Sequence, residues 1–303
     1  MPGAGLPDLH RHLDGSLRRA TLDELAAQAG IAVPADVGFA AGMGLDRALA
    51  CFELTLSVLQ DPAAVCRVAA EICEDAAAGG VTTLELRFAP QLHQRAGAAL
   101  GDIIDAAVDG LAGRAGLILC GLYGEDPAVL AALVAAAASR PGVVGLDLAG
   151  GPVPGHTWDL ASYAPAFRRA AELGLGRTVH AGEGRPPAEI ATAIEVLGAT
   201  RIGHGTTLLD DPRVLALVLE REVTIEACPT SNVHTGAIAS IAEHPLPRWL
   251  ALGVCVCVNT DNTLFSRVTA AAEHAHARAI PGMTDERLAR AVAHGHAAAF
   301  TRR

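Results

Sequence analysis

The chain has 303 residues, 51% of them hydrophobic, and a formal net charge of −10. This length and apolar content suffice for a large core, and an acidic chain without a basic run argues against a nucleic-acid partner. With no charged-then-apolar N-terminal signal and no apolar stretch of the ~18–20 residues that a membrane span needs, we expect a cytoplasmic protein without a membrane partner.

The numbers of cysteines and lysines exclude several kinds of catalytic site. The seven cysteines are scattered without a CxxC pair, which is typical of reduced thiols. All 23 basic residues are arginines, so a lysine Schiff base is excluded, as is a two-metal centre bridged by a carbamylated lysine. Any metal centre is therefore expected to be mononuclear.

In chain order, short β-like runs alternate with alanine-rich helical segments. The predicted strands cover residues 6–13, 81–89, 117–123, 143–149, 177–181, 201–204, 223–228 and 254–260. The predicted helices between them cover residues 97–115, 127–139, 159–174, 186–197, 211–220 and 245–252. This order predicts an α/β protein with a (β/α)8 TIM barrel. Because no linker or internal repeat interrupts it, we expect residues 1–303 to form a single domain.

The first connection, residues 15–80, differs from the others because it holds two or three helical stretches instead of one. We expect these extra helices after the first strand to lie over the mouth of the barrel.

Polar side chains follow the predicted strands at their carboxyl ends, where (β/α)8 barrels carry their reactive groups. In chain order the residues at these ends are His10, His12, Asp14, Gly150, His180, Glu183, His204, Asp261 and Asn262, of which Gly150 offers only its backbone groups. So many imidazoles and carboxylates at one end of apolar strands would be a coincidence in a purely structural barrel. We therefore expect them to form one site.

Two histidines of the first strand suggest a metal. Side chains alternate faces along a strand, so His10 and His12 point the same way. With His180 and Asp261 they offer three nitrogens and one oxygen, a donor set that suits a catalytic zinc with a position left for water. A structural role is the alternative for His10 and His12 when they are considered alone.

The pairs His274/His276 and His294/His296 have the same spacing but lie in segments predicted as helix. Residues two apart on a helix lie about 200° apart around its axis and do not share a face. These histidines are therefore predicted to be surface or helix-packing residues.

Two further residues suit proton transfer beside a metal-bound water. Glu183 follows His180 by three residues, where the strand turns into its loop, and suits a general acid or base. The alternative for Glu183 is a surface residue that caps the following helix. His204, together with Asp261, is predicted to orient or deprotonate the water.

Six segments that carry these residues resemble the adenosine deaminase family of metal-dependent amidohydrolases. They are DLHRHLDGS at 8–16, DLAG at 147–150, TVHAGE at 178–183, RIGHG at 201–205, CPTSN at 228–232 and NTDN at 259–262, in the family's order. The other zinc deaminase design needs P-C-x-x-C, and here Cys228 and Pro229 are followed by Thr-Ser-Asn.

The resemblance implies a hydrolytic deaminase with one Zn²⁺ per chain, which converts adenosine or a related adenine nucleoside to its 6-oxo analogue and ammonia. It implies as zinc ligands His10, His12, His180 and Asp261. It implies that Glu183 protonates ring N1 and that His204 orients and deprotonates the attacking water. The implied substrate contacts are Asp14 to a sugar hydroxyl, Gly150 to ring N3 and Asn262 to ring N7.

Two departures from the family leave the substrate open. Asn262 stands where many members have an aspartate, and its amide can donate a hydrogen bond. The chain is also shorter than a typical member, around 31–45 and after the eighth strand. The shortening would leave room for a 5′-modified adenine nucleoside, such as 6-aminodeoxyfutalosine of menaquinone synthesis. The segment 52–59 either lines the purine face or is an ordinary core helix.

Three alternatives to adenosine deamination stay open. They are deamination of a 5′-modified nucleoside, hydrolysis of another substrate such as free adenine, a pterin or a phosphoester, and nucleoside binding without turnover. Asp14 argues against a phosphoester, because its carboxylate would repel a phosphate.

Overall fold

Eight parallel strands pair in chain order in the computed structural model, which describes residues 5–151 and 157–300. They are β1 (Leu6–His12), β2 (Val81–Phe88), β3 (Gly116–Leu122), β4 (Val143–Ala149), β5 (Gly176–Ala181), β6 (Arg201–His204), β7 (Thr224–Ala227) and β8 (Cys255–Val258). The predicted (β/α)8 fold class is confirmed. The eighth strand is shorter than predicted, because Asn259 and Thr260 lie beyond the paired residues.

Backbone hydrogen bonds close the sheet between its first and last strands. His12 N–H donates to the Asp261 carbonyl, and Asp261 N–H donates to the His10 carbonyl, both at 2.8 Å. The pairing of β4 with β5 is short, joining Gly145 to Gly176 and Leu146 to Arg177. Closure therefore places Asp261 directly beside the His-x-His segment of β1.

Helices surround the strands. They are α1 (Arg19–Ala29), α2 (Leu45–Val58), α3 (Pro62–Ala78), α4 (Leu100–Leu111), α5 (Pro127–Ala137), α6 (Ala164–Glu172), α7 (Ala188–Glu195), α8 (Pro212–Glu220), α9 (Pro229–His234), α10 (Leu246–Ala251), α11 (Thr263–Ser266), α12 (Ala270–Ala279) and α13 (Asp285–Ala298). Three of them precede β2, which confirms the extra helices after the first strand.

Taken singly, no helix in the described ranges has the length and apolar content to cross a membrane; α2 and α3 meet that test only as a bent pair.

Aspartate–proline pairs begin three of the barrel helices. Each aspartate accepts a hydrogen bond from the backbone N–H two residues later, and the proline occupies the first helical position, where its missing N–H costs nothing. The pairs precede α3, α5 and α8 and are Asp61–Pro62, Asp126–Pro127 and Asp211–Pro212.

All six predicted helices are shorter in the structure, and two of the differences have a clear cause in the backbone. The segment 97–115 forms a helix only to Leu111, because Ala112 and Gly113 have φ values of 49° and 73°, which end the α-helix. The segment 159–174 divides into a 3₁₀ turn, Leu160–Tyr163, and α6, with Pro165 in the first turn of α6. Both differences arise from local backbone geometry rather than from the apolar pattern.

The interior of the barrel holds a network of charged side chains. Arg87, Asp147, Glu226, Arg201 and Glu85 are all buried and joined by ion pairs of 2.6–2.8 Å. The apolar core lies between the strands and the surrounding helices. The ionic interior carries the candidate site at its carboxyl-terminal end.

The later His-x-His pairs lie on helices, as predicted. His274 is buried on α12, while His276 is hydrogen-bonded to Thr230. On α13, His294 Nδ1 accepts from a backbone N–H of β8, and His296 Nε2 lies 2.8 Å from the Gly5 carbonyl. His294 and His296 thus join α13 to β8 and to the residue before β1.

Candidate active site

A cavity of about 280 Å³ opens at the carboxyl ends of the strands, and every residue of the predicted site except His10 lines it. His10 lies just beneath, with its ring centroid 4.5 Å from that of His180. The structure therefore brings together the histidines and carboxylates that were predicted to lie at the carboxyl ends of the strands. Their individual roles stay predictions.

His10 and His180 each have one ring nitrogen fixed by a buried carboxylate. His10 Nδ1 lies 2.7 Å from Glu226 Oε2, and His180 Nδ1 lies 3.0 Å from Asp147 Oδ2. Because Arg87 donates to both carboxylates, their oxygens act as acceptors in this network, and the imidazoles donate these bonds. Their Nε2 atoms therefore carry lone pairs that are free to bind a cation.

The lone pairs converge with a carboxylate oxygen. His12 Nε2 lies 3.3 Å from His180 Nε2 and 3.4 Å from Asp261 Oδ1, and that oxygen lies 3.6 Å from His10 Nε2. Ligand atoms bound tetrahedrally at about 2.0–2.1 Å from zinc are about 3.3–3.4 Å apart. The buried His10 Nε2 has no hydrogen-bond partner. This donor set therefore fits a zinc-type cation.

Two other groups offer ligand atoms within 4.8 Å of one another, His10 with His180 and His204, and His10 with Cys228 and Asp261. Both overlap the predicted ligands. The distances therefore support one metal centre around His10, while the identity of each ligand stays a prediction.

Burial lowers the pKa of His10 and His12 well below 6.5, with Arg87 and His180 adding to the effect. Burial also lowers the pKa of His204, to about 3. A metal binds the neutral imidazole, so the environment favours the binding form of His10 and His12.

Glu183 is buried and lines the cavity, which contradicts the alternative of a surface helix cap. Its Oε2 atom lies 3.8 Å from His204 Nε2. Burial raises the pKa of Glu183, which makes the protonated carboxyl more available near neutral pH. Its position suits proton transfer to a ring in the cavity.

Two residues of the site have left-handed backbone conformations that are rare for residues with a side chain. His204 has φ 66° and Asp261 has φ 60°. Such strain costs about 1–3 kcal/mol and persists only where surrounding contacts hold it. His204 ends β6 and Asp261 follows the end of β8 by three residues, and the side chains of both line the cavity.

The three predicted substrate contacts line the same cavity. Asp14 Oδ1 and Asn262 Oδ1 are buried without hydrogen-bond partners. Asn262 Oδ1 lies against Gly15, where an added Cβ would be only 1.8 Å away, so glycine is needed at that position. The Gly150 carbonyl accepts from Arg185 at 3.1 Å, and this residue adopts φ 76°.

Helix α2 supplies an apolar wall. Leu45, Ala48, Leu49, Phe52 and Leu56 all line the cavity. Of the two interpretations of segment 52–59, the one in which it lines the pocket therefore fits Phe52 and Leu56.

Sequence reasoning gave no role to Arg87, Glu226, Asn232 or His244. Glu226 is the single charge of β7, and Arg87 is one of two charges in the otherwise largely apolar β2. Charges in such strands are a signal that could have identified them as inward-facing. Asn232 is part of the motif 228–232, and its amide lies 2.9 Å from His204 Nδ1. His244 lies in the irregular connection between α9 and α10 and has no comparable signal.

The family model for adenosine deaminase matches residues 6–303. The adenosine deaminase of Vibrio vulnificus is 38% identical over 280 residues, which cover 86% of this chain and 84% of that protein. Among solved structures, the adenine deaminase of Arthrobacter aurescens has a TM-score of 0.89 at 27% identity, with 99% of this chain and 94% of that chain covered.

A second structure, an amidohydrolase from Burkholderia ambifaria with bound zinc, has a TM-score of 0.88 at 26% identity, with 98% of this chain and 86% of that chain covered. The chain thus matches a deaminase family model along almost its entire length, and its cavity gathers the residues of the family's motifs. This chain belongs to the adenosine deaminase family and is a hydrolytic deaminase that acts on a C–N bond.

Proposed function

We propose that this protein is a zinc-dependent deaminase that converts adenosine, or a closely related adenine nucleoside, to the 6-oxo nucleoside and ammonia. The observation that carries the proposal is the convergence of His12, His180 and Asp261 at 3.3–3.4 Å, beside a buried Glu183 in one cavity. The zinc-bound relative and the unpartnered His10 Nε2 support zinc as the cofactor.

Each group at the site would have a separate role in the reaction. Bound zinc would hold a water and lower its pKa to about 7. Glu183 would protonate ring N1 and make C6 electrophilic, and His204 would orient the attacking oxygen. The water oxygen bonds to C6, the C6–N6 bond then breaks, and the amino group leaves as ammonia. Asp14 would accept a hydrogen bond from a sugar hydroxyl.

Asn262 is suited to ring N7. That nitrogen is a hydrogen-bond acceptor, and an asparagine amide donates to it directly, whereas an ionised aspartate would have to be protonated first. Gly150 would offer its backbone to ring N3. These contacts match an adenine ring in one orientation.

Charge favours a nucleoside over a nucleotide. No arginine lines the cavity among the described residues, and α2 makes one wall apolar. A 5′-phosphate would lack a cationic partner there and would meet the carboxylate of Asp14. A neutral 5′ group, such as a hydroxyl or a thioether, suits this wall better.

The test is ammonia release from zinc-loaded protein with adenosine, a 5′-thioether adenosine, 6-aminodeoxyfutalosine, adenine and AMP. We expect turnover of adenosine or a 5′-modified nucleoside, and a kcat/KM for AMP lower by about 100-fold, since like charges in contact cost several kcal/mol. Turnover of adenine without adenosine would overturn the proposed substrate class.

The matched control is Glu183→Gln, which keeps the size of the side chain but removes the acid. We expect it to bind zinc and nucleoside normally and to lose about 10²–10⁴-fold in kcat. Unchanged kcat would remove the role assigned to Glu183.

A further inference from the structure

A hydrogen-bonded chain of buried side chains lies behind His204, outside the cavity. It runs from the backbone of Leu246 through His244 and Asn232 to His204, and all three side chains are buried. His244 and Asn232 do not line the cavity, so no substrate contact accounts for them.

The direction of this chain is set by a backbone amide. Leu246 N–H can only donate, and it donates to His244 Nδ1 at 3.2 Å. His244 Nδ1 must therefore carry a lone pair. Because burial lowers the pKa of His244 to about 3, its ring is neutral near pH 7 and its proton lies on Nε2.

The next two links follow from the first. His244 Nε2 lies 3.2 Å from Asn232 Oδ1, so the imidazole donates and the amide oxygen accepts. The amide nitrogen of Asn232 therefore faces His204, and it donates to His204 Nδ1 at 2.9 Å. A neutral His204 that accepts at Nδ1 carries its proton on Nε2, the nitrogen nearer to Glu183.

Packing keeps both intermediate residues in place. Asn232 lies in α9, where its N–H donates to the Cys228 carbonyl at 2.9 Å and its own carbonyl accepts from Ile238 at 3.0 Å. The His244 ring lies edge-on to Trp249, with centroids 5.4 Å apart. These contacts fix the backbone of Asn232 and the place of the His244 ring, while the Leu246 N–H sets the direction of the side-chain hydrogen bonds.

We propose that His244 and Asn232 are positioning residues that hold His204 in the tautomer with Nε2 protonated, so that His204 meets the attacking oxygen as a hydrogen-bond donor. This inference rests on the proposed deaminase function. It differs from the deprotonating role that the family resemblance implied, because an Nε2 that already bears a proton cannot accept another.

The proton balance then assigns the base. Protonated Glu183 gives its proton to ring N1 while the oxygen–C6 bond forms, and the resulting carboxylate takes one proton from the water. When the C6–N6 bond breaks, the second proton of the water goes to the departing amino group, which leaves as ammonia. His204 keeps its Nε2 proton throughout and stabilises the oxygen.

The test measures the tautomer directly in the zinc-loaded enzyme. Protonated and unprotonated ring nitrogens have well-separated ¹⁵N chemical shifts, and a His204→Gln variant identifies the signals of this ring. We expect Nε2 protonated in the native protein. In Asn232→Asp, a carboxylate that can only accept should place a proton on Nδ1. A native His204 protonated at Nδ1 would overturn the inference.

Kinetics of the same variants test the catalytic consequence. We expect Asn232→Asp to lower kcat for adenosine by about 10–100-fold, as loss of such supporting hydrogen bonds usually does, with little change in KM. Retention of the native kcat would overturn the proposal.

His244 offers a matched pair of variants that also serves if Asn232→Asp does not fold. His244→Gln can still accept from Leu246 N–H and donate to Asn232, whereas His244→Leu can do neither. We expect the glutamine variant to keep most of kcat and the leucine variant to lose it. Equal losses in both would indicate a merely structural role and overturn the inference.

Failure of the proposed function can be distinguished from failure of this inference about His204. In that case the native protein turns over no purine, while the ¹⁵N spectra, which need no substrate, still report the protonated nitrogen of His204.

Discussion

Arg87 is fully buried inside the barrel, where its guanidinium donates to Asp147 and to Glu226 at 2.8 Å each. Those carboxylates accept in turn from His180 and His10, two of the predicted zinc ligands. One arginine thus neutralises two buried carboxylates and, through them, orients two imidazoles. Hydrogen bonds behind metal ligands of this kind fix the ring orientation and the tautomer.

We expect Arg87→Met to lower the free energy of unfolding by about 3–5 kcal/mol, because it leaves two buried carboxylates without their cation. Zinc affinity should fall by about 10–100-fold, since His180 and His10 lose their fixed supports. Chemical denaturation and a competitive zinc-chelator titration measure the two effects.

Arg18→Met is the matched control for Arg87→Met. Arg18 is 36% exposed and pairs with Glu74 and Asp75 on the surface. Its loss should cost about 1 kcal/mol or less and leave zinc affinity unchanged. Unchanged zinc affinity in Arg87→Met would show that the arginine does not position the ligands. If that variant does not fold, Glu226→Gln tests the support of His10 alone.

The sequence predicts the metal ligands but not the buried side chains that hydrogen-bond to them. His10 and His12 share a face of one strand, and His180 and Asp261 end two others, so the barrel topology alone suggests that they meet. The partnership of Arg87 with Glu226 joins β2 to β7 across the interior, and its geometry depends on strand tilt and side-chain length. No spacing along the chain encodes that contact.

At the scale of elements, α2 forms a wall whose position depends on aromatic packing. Phe265 of α11 is buried and stacks on Phe39, with centroids 4.8 Å apart at 17°. It also packs against Phe52 of α2, with centroids 5.0 Å apart. Phe52 lines the cavity, so Phe265 supports the apolar wall from behind.

We expect Phe265→Ala to lower the free energy of unfolding by about 3–5 kcal/mol, the usual effect of removing a buried phenylalanine ring. The KM for adenosine should rise severalfold with a smaller change in kcat, because α2 loses its support while the metal ligands keep theirs. Denaturation and steady-state kinetics measure the two effects.

Phe167→Ala serves as the comparison, because Phe167 is equally buried but lies on α6, away from the cavity. It should lose similar stability with an unchanged KM. An equal rise in KM in both variants would mean that the loss of overall stability, and not the position of α2, raises KM.

The apolar pattern predicted the helix in segment 52–59 but not its function. Leu49 and Phe52 face the cavity, and Leu56 continues that face one turn later. An apolar stripe on a helix looks the same whether it meets a core or a ligand pocket. Only the tertiary position of α2 over the strand ends distinguishes the two.

At the scale of the whole molecule, the barrel has two weak seams. The β4–β5 pairing joins two residue pairs, and β1 meets the end of β8 through the two backbone bonds at Asp261. The predicted zinc ligands come from β1, from β5 and from Asp261, three residues after the end of β8. A cation bound by them would tie these strands together next to both seams.

We expect removal of zinc by a chelator to destabilise the barrel, by about 2.7 kcal/mol relative to protein in free zinc at 100 times its dissociation constant. Amide protons of His12 and Asp261, which close the barrel, should exchange faster after chelation, while those in the middle of β3 should change little. Hydrogen exchange with site resolution measures this, and added zinc should restore the original pattern. In His12→Ala, which is expected to lack zinc, chelation should have no further effect. If chelation left the exchange rates at the β1–β8 seam unchanged in the native protein, the cation would not join these strands.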